Sequence, residues 1–399
     1  MELRLLSGSL PLALLSKADT TRRDRKDEQE SMHILITGGA GFIGSHLADD
    51  LIAHGHLVRA LDNLSPQVHG AVDRPSYLHA DIELIRGDVR DPDAVRHALD
   101  GVDAVYHLAS AVGVGQSMYE IEHYTSTNNV GTAVLLEGII KHPVQRLVVA
   151  SSMSLYGEGL YLAADGRIVP GEERTLDQLR GGHWEVRDAN GIPLAPLPTP
   201  ESKPPSLSSV YALSKYDQER MCLMVGRAYN VPTVALRFFN VFGTRQSLSN
   251  PYTGVLAIFA SRLLNGNRPL IFEDGMQRRD FVSVYDVVQA CRLSLDHPAA
   301  PGQAFNVGSG RSVTVREVAS LVAGILGKRV DPDVCGKYRV GDIRHCFADI
   351  SRLSTELGYV PTVTLEDGMV ELAEWLQDQA ADDKVAQASQ ELAARGLTV

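Results

Sequence analysis

The run HILIT at residues 33–37 passes directly into GGAGFIG, and FIGSHLADDLIAHG then follows with helical apolar spacing and a glycine stop. A short β-rich run, a glycine turn and a helix in that order leave few architectures open. Gly39, Gly41 and Gly44 satisfy G-x-G-x-x-G, and Gly38, Gly41 and Gly44 satisfy G-x-x-G-x-x-G. Glycines there permit a tight turn, backbone approach to a pyrophosphate, and close packing of helix on strand. Phe42 and Ile43 open the helix, whose N-terminal end offers unpaired N–H groups and a positive dipole. Asp62 closes the next strand, LVRALD. Its carboxylate can accept from a ribose 2′-hydroxyl and repels a 2′-phosphate, which favours NAD over NADP. Asp88, in GDVRD after the third strand, is placed to meet the adenine. Asn63, Val89, Leu108 and Ala109 border the ends of these and the following strands and, with Phe238, complete the candidate cofactor surface.

IELIRGD (82–88), DAVYHLA (103–109) and RLVVAS (146–151) read as further strands, with helical segments between several of them. Apolar strands alternating with helices predict a parallel sheet covered on both faces. The fold class is therefore α/β: a Rossmann-type doubly wound parallel sheet with a smaller mixed α/β carboxy-terminal substrate lobe. Residues 1–31 read as a leader outside the fold. The NAD-binding domain spans 32–239, with an insertion loop at 158–209. Residues 240–377 form mainly the substrate lobe, and 378–399 a helical tail. The insertion is dense in Gly and Pro, and Asn190-Gly191 within WEVRDANGIPL predicts a hairpin.

Composition removes other classes. Among 399 residues, 38 basic against 49 acidic side chains give a net charge of −11, and no basic stripe offers itself to nucleic acid. No apolar stretch approaches the roughly 18–20 residues of a membrane span. Cys222, Cys291, Cys335 and Cys346 lie far apart without a C-x-x-C pair, pointing to a reducing, cytoplasmic compartment. His54 and His56 have no third ligand nearby, so no metal is expected.

Tyr211 and Lys215, in YALSK, form an i, i+4 pair on one helix face. A free phenol titrates near 10 and is a poor base at neutral pH. An adjacent ammonium favours the phenolate. Ser151 and Ser152 end the fifth strand, where an open parallel sheet places its ligands. A hydroxyl there can bind a substrate hydroxyl and help pass its proton to Tyr211.

The ordered set TGGAGFIG, Asp62, YHLAS, NNVGT, SSMSLYG, YALSK, LRFFNVFG, GMQRRDF and NVGSG resembles the extended short-chain dehydrogenase/reductase family of nucleotide-sugar epimerases and dehydratases, over roughly residues 32–375. The resemblance implies bound NAD, a catalytic triad of Ser152, Tyr211 and Lys215, and a lobe that grips a nucleotide diphosphate sugar. It places Asn128 near the cofactor and Asn240 and Arg279 at the diphosphate, with Arg339 and Arg344 as further clamps. Dehydratases of this family carry an acid pair directly after the triad Ser/Thr, and sugar-acid decarboxylases a glutamate. Here Met153 and Ser154 stand there, leaving redox at carbon 4 without elimination. DNLSPQVHG, AVGVGQSMYEI and GKYRVGDIRHCFADIS are similar to the dTDP-L-rhamnose 4-epimerase branch, while UDP-glucose and UDP-N-acetylglucosamine 4-epimerases share most motifs; a nucleotide 4-ketosugar reductase is the other alternative. The family also implies a homodimer through a four-helix bundle of the segments Thr127–His142 and Tyr211–Tyr229, with Leu135, Leu136, Ile139, Met221, Cys222 and Val225 in contact.

Overall fold

The computed structural model describes residues 31–250, 252, 254–339, 341–379 and 383–398. Apart from Ser31, the expected leader lies outside the described residues.

Seven parallel strands form the central sheet: His33–Thr37 (β1), Leu57–Asp62 (β2), Glu83–Arg86 (β3), Ala104–His107 (β4), Arg146–Ser152 (β5), Thr233–Phe238 (β6) and Ala304–Val307 (β7). Their order is β7-β6-β5-β4-β1-β2-β3, so the winding reverses between β1 and β4. That reversal opens a crevice beyond the carboxyl ends of the strands. Side chains alternate between faces. Ile34, Ile36, Ala60, Tyr106, Val148 and Val234 enter one core, and Leu35, Leu61, Val105, Leu147, Val149 and Ala235 enter the other. Burial on both faces is why these strands read as continuous apolar runs.

Helices Phe42–Ala53 (α1) and Val284–Asp296 (α4) pack on the first face, and Gly131–Lys141 (α2) and Val210–Tyr229 (α3) on the second. The chain returns to the sheet after residue 240, since α4 and β7 belong to the Rossmann layers. A separate apolar cluster, including Phe242, Leu256, Phe259, Val318, Val322, Leu372 and Leu376, forms the core of the lobe. The tail contains a helix at Val385–Ala394.

One sequence expectation is corrected here. Leu135, Leu136, Ile139 and Cys222 are at most 4% exposed within their own chain, wedged between α2, α3 and the sheet. Met221 and Val225 pack against the same core. Helical spacing revealed a buried face, and that face is turned toward the sheet. The exposed large apolar positions of these helical segments are instead Val130, Leu213, Met224 and Tyr229.

The insertion folds into a three-stranded antiparallel sheet, with Leu160–Leu162 between Ile168–Pro170 and Ala195–Leu197. At the predicted hairpin, Gly191 takes φ +78° and its N–H donates to the Asp188 carbonyl, with an antiparallel bridge between Arg187 and Pro193. Buried charges fasten this unit to the lobe. Arg344, 0% exposed, donates to Glu185 (2.5 and 3.1 Å), Glu273 (2.8 Å) and Asp274 (2.7 and 3.0 Å). Arg174 joins Glu273 at 2.8 Å, and His345 meets Glu185 at 2.8 Å. Burial pushes the Glu185 carboxyl up, but its bonds to His345 and Arg344 prevail and hold it at about 2.

Removing one partner from such a cluster leaves uncompensated charge. Arg344→Met is expected to cost about 3 kcal/mol at pH 7 by urea unfolding. Because the folded-state value of Glu185 is depressed, its stabilisation is present above the unfolded value and fades as pH falls from about 4.5 toward about 2. The gap between variant and native chain should therefore narrow over that window; a gap independent of pH would contradict this account.

Candidate active site

The glycine turn after β1 is a cradle that side chains would fill. Gly38 takes φ +72°, and a Cβ on Gly44 would lie 2.3 Å from the Gly38 carbonyl oxygen. A Cβ on Gly39 would lie 2.6 Å from that of Ala60. The N-cap of α1, Gly41, has no side chain to cap the helix, so the first turn of Phe42 and Ile43 keeps backbone donors available. This arrangement fits the pyrophosphate of a dinucleotide. Asp62 accepts from the N–H groups of Ala40 (3.1 Å) and Leu64 (2.9 Å), so it also fixes the turn that it borders.

Along the same crevice, Leu108 and Ala109 leave β4 against Gly38, and Phe238 ends β6. Val89 packs on Gly131. Asp88 accepts from Arg90 (2.8 and 2.9 Å) and Asn63 (3.3 Å), and the Arg90 guanidinium foremost holds its carboxyl down at about 2. Asn128 lies in a π-helical turn, Thr125–Val130, of the kind that recurs at functional sites. Its amide exchanges bonds with the backbone of Ala111 (2.7 and 3.1 Å) and donates to Ser214 (2.9 Å).

Ser152, Tyr211 and Lys215 come from two elements. Ser152 ends β5, with its Oγ accepting from the backbone N–H (3.2 Å) and hydroxyl (2.9 Å) of Ser154. With its lone pairs so occupied, its own proton is free to turn toward Tyr211. Ser209 caps the start of α3, and the Tyr211 N–H donates to Ser117 Oγ at 3.0 Å. Tyr124 meets the Tyr211 ring edge-on at 6.4 Å. Burial raises the Tyr211 phenol, and Ser152 pulls it back. Burial also lowers the Lys215 ammonium to about 7. Without ligand, both groups are therefore pressed toward neutrality, so the phenol is shifted opposite to the effect expected from its neighbouring lysine.

On the lobe side, Asn240 begins a short strand, Asn240–Phe242, beside Phe281–Ser283. Its side-chain oxygen is buried with no protein partner, an atom ready for a ligand donor. Arg279 donates to the carbonyls of Arg344 (3.0 Å) and Ile343, tying its strand to the 341–345 loop. Arg339 pairs with Asp342 at 2.9 Å and lies over the Phe272 ring at 4.6 Å. Arg344 is a correction: all its guanidinium donors are spent on carboxylates of the insertion and the lobe, so it anchors the insertion and is not a phosphate clamp.

The chain matches the model of the NAD dependent epimerase/dehydratase family over residues 34–180 and 190–308. It belongs to that family. It is thus an NAD-dependent enzyme of the epimerase/dehydratase type. It is 36% identical over 351 residues to the dTDP-L-rhamnose 4-epimerase of Burkholderia thailandensis, covering 87% of this chain and 95% of that one. Among solved structures, the UDP-glucose 4-epimerase of Thermotoga maritima with UDP-glucose is 31% identical with a TM-score of 0.71, covering 87% and 99% of the two chains. The Thermus thermophilus UDP-glucose 4-epimerase complexed with NAD is 30% identical with a TM-score of 0.69, covering 88% and 100%.

Several residues of this epimerase/dehydratase site carried no signal in the sequence. Ser117 and Tyr124 end short helices, Ser214 lies on α3, and Gln218 accepts from Lys215 at 2.8 Å. A capping serine before YALSK is the one such cue available in advance.

Proposed function

We propose that this enzyme is a nucleotide-sugar 4-epimerase that interconverts dTDP-L-rhamnose and dTDP-6-deoxy-L-talose. The carrying observation is the segment after Ser152. Met153 is buried, and Ser154 gives its hydroxyl to Ser152, so no carboxylate follows the triad to expel a hydroxyl or steer a decarboxylation. The similarity to a dTDP-L-rhamnose 4-epimerase across most of both chains supports the sugar.

Bound NAD, cradled by the turn at Gly38–Gly44 and bordered by Asp62, would accept the carbon-4 hydride and return it. The protein's part is proton handling and grip. Tyr211, as phenolate, takes the proton of the 4-hydroxyl, while the Ser152 hydroxyl donates to the phenolate oxygen. The positive charge of Lys215 offsets the phenolate charge. The O–H pair becomes the C=O of a 4-keto sugar, and the same proton returns when hydride arrives on the opposite face. Asn240, Arg279 and Arg339 are the candidates to hold the diphosphate while the sugar turns.

Incubation of the purified chain, without added cofactor, with dTDP-L-rhamnose, UDP-glucose or UDP-N-acetylglucosamine tests this reading by proton NMR at carbon 4. Only dTDP-L-rhamnose should equilibrate with its epimer, and Tyr211→Phe should lose at least about 100-fold in rate. Reaction of a UDP-sugar alone contradicts the substrate, and stoichiometric consumption of added reduced cofactor contradicts epimerisation in favour of reduction.

We further propose that the enzyme is a homodimer paired through α2 and α3. The supporting feature is the exposed apolar set Val130 (49%), Leu213 (47%) and Met224 (46%). Light scattering should give a dimer mass for the native chain and a monomer mass for Leu213→Glu/Met224→Glu; a monomeric native chain would overturn the pairing.

A further inference from the structure

Lys215 is 3% exposed, and its ammonium needs an acceptor inside the protein. Gln218, one turn further along α3 and fully buried, supplies one through its side-chain carbonyl at 2.8 Å. A glutamine amide has an acceptor end and a donor end, and the surroundings decide which faces the lysine. Here a chain of bonds makes that decision. The Thr132 hydroxyl gives its proton to the Asn128 carbonyl (2.5 Å), which leaves its oxygen only to accept. It receives the Gln218 NH2 at 2.9 Å. His107 Nε2 also lies 2.8 Å from that oxygen and 3.3 Å from the Gln218 amide nitrogen. Nδ1 is hydrogen-bonded to Thr37 Oγ1 at 2.8 Å, whose oxygen takes the Ala109 N–H at 3.2 Å. Thr132 and His107 thus both face the donor end of the Gln218 amide. Turning the Gln218 amide over would set NH2 against the ammonium and a carbonyl against an oxygen with no proton left to give.

We propose that Gln218 is a positioning residue of the reaction: its carbonyl holds the charged Lys215 on the Tyr211 face of α3, and Thr132 and His107 lock the amide in that orientation. The inference deepens the Tyr211–Lys215 mechanism and rests on it. The other ionisable groups facing Lys215 do not replace Gln218. His107, buried beside the lysine, is held neutral with its pKa down at about 3. Cys222 is pushed up to about 12 by burial. Glu219, on the same helix, is taken by Arg237 (2.6 and 2.9 Å) and Ser151 (2.7 Å). Without the Gln218 carbonyl, the buried lysine loses the dipole that favours its charged form, and Tyr211 loses a neighbouring positive charge. The phenol must then titrate higher.

The test is Gln218→Met, which keeps length and apolar bulk but removes the acceptor, prepared with its retained NAD. Carbon-13 NMR of Cζ-labelled tyrosine, with the Tyr211 signal assigned by its loss in Tyr211→Phe, reads the phenol without any sugar. The Tyr211 midpoint should rise by about one pH unit, equivalent to about tenfold less phenolate below it. With substrate, the acid limb of kcat should move up equally while KM holds, and Gln218→Glu, which restores an acceptor, should move both back. An unshifted Tyr211 midpoint in folded Gln218→Met overturns the proposal. If that variant does not fold, Thr132→Val leaves Gln218 present but unlocked, and its midpoint must rise in the same direction or the proposal fails. The NMR titration stands even if no tested sugar turns over, so failure of the substrate assignment and failure of this inference are separately visible.

Discussion

The contact of α1 with the turn after β1 sets where everything else in this molecule can be. With no side chain on Gly44, the helix starts against the Gly38 carbonyl, and any Cβ there would force the two apart. Close approach aims the first turn of α1 at the crevice formed where the sheet reverses between β1 and β4. Asp62 then ties β2 to the turn through the Ala40 N–H, so that carboxylate and the glycine cradle are one rigid unit. β5 and α3 bring Ser152 and Tyr211 to the carboxyl-end side of the same sheet, which in the proposed reaction lets proton transfer and hydride transfer meet at one sugar carbon.

Burial then sets the chemistry. A phenol and an ammonium taken out of water both drift toward their neutral forms, and a useful base needs the drift reversed. In the proposed mechanism Ser152 reverses it from one side and a held, charged lysine from the other. The relay from Thr37 through His107 and Thr132 to Gln218 is costly to bury, and it turns the donor end of the Gln218 amide away from Lys215. Far from the sheet, the lobe uses buried charge differently. Arg344 with Glu185, Glu273 and Asp274 fastens the insertion next to the loop that carries Arg339. The insertion thereby braces that loop.

Much of this was legible in the sequence where the signal is local. HILIT and LVRALD mark β1 and β2 to the residue, because both are apolar runs bounded by glycine or a charged stop. The glycine turn, Asp62 and the Tyr-x-x-x-Lys pair are likewise set by spacing. What failed needed tertiary knowledge. Arg344 reads as a phosphate clamp until carboxylates about 70 and 160 residues away in sequence surround it. Leu135, Leu136 and Ile139 display a helical stripe, but periodicity does not say whether sheet or partner covers it. Gln218 is polar at mid-helix and carries no local signal of burial; the packing of α3 on β5 and α2 turns it inward.

The central claim is that one carbon is oxidised and reduced within a single binding event, with the proton held by Tyr211. Substrate carrying deuterium at carbon 4 tests this directly. The account predicts that the 4-epimer formed in ordinary water keeps the deuterium at carbon 4, because hydride leaves and returns without reaching solvent. Loss of the label to solvent during epimerisation would mean that carbon 4 is inverted by proton exchange, and would contradict the account.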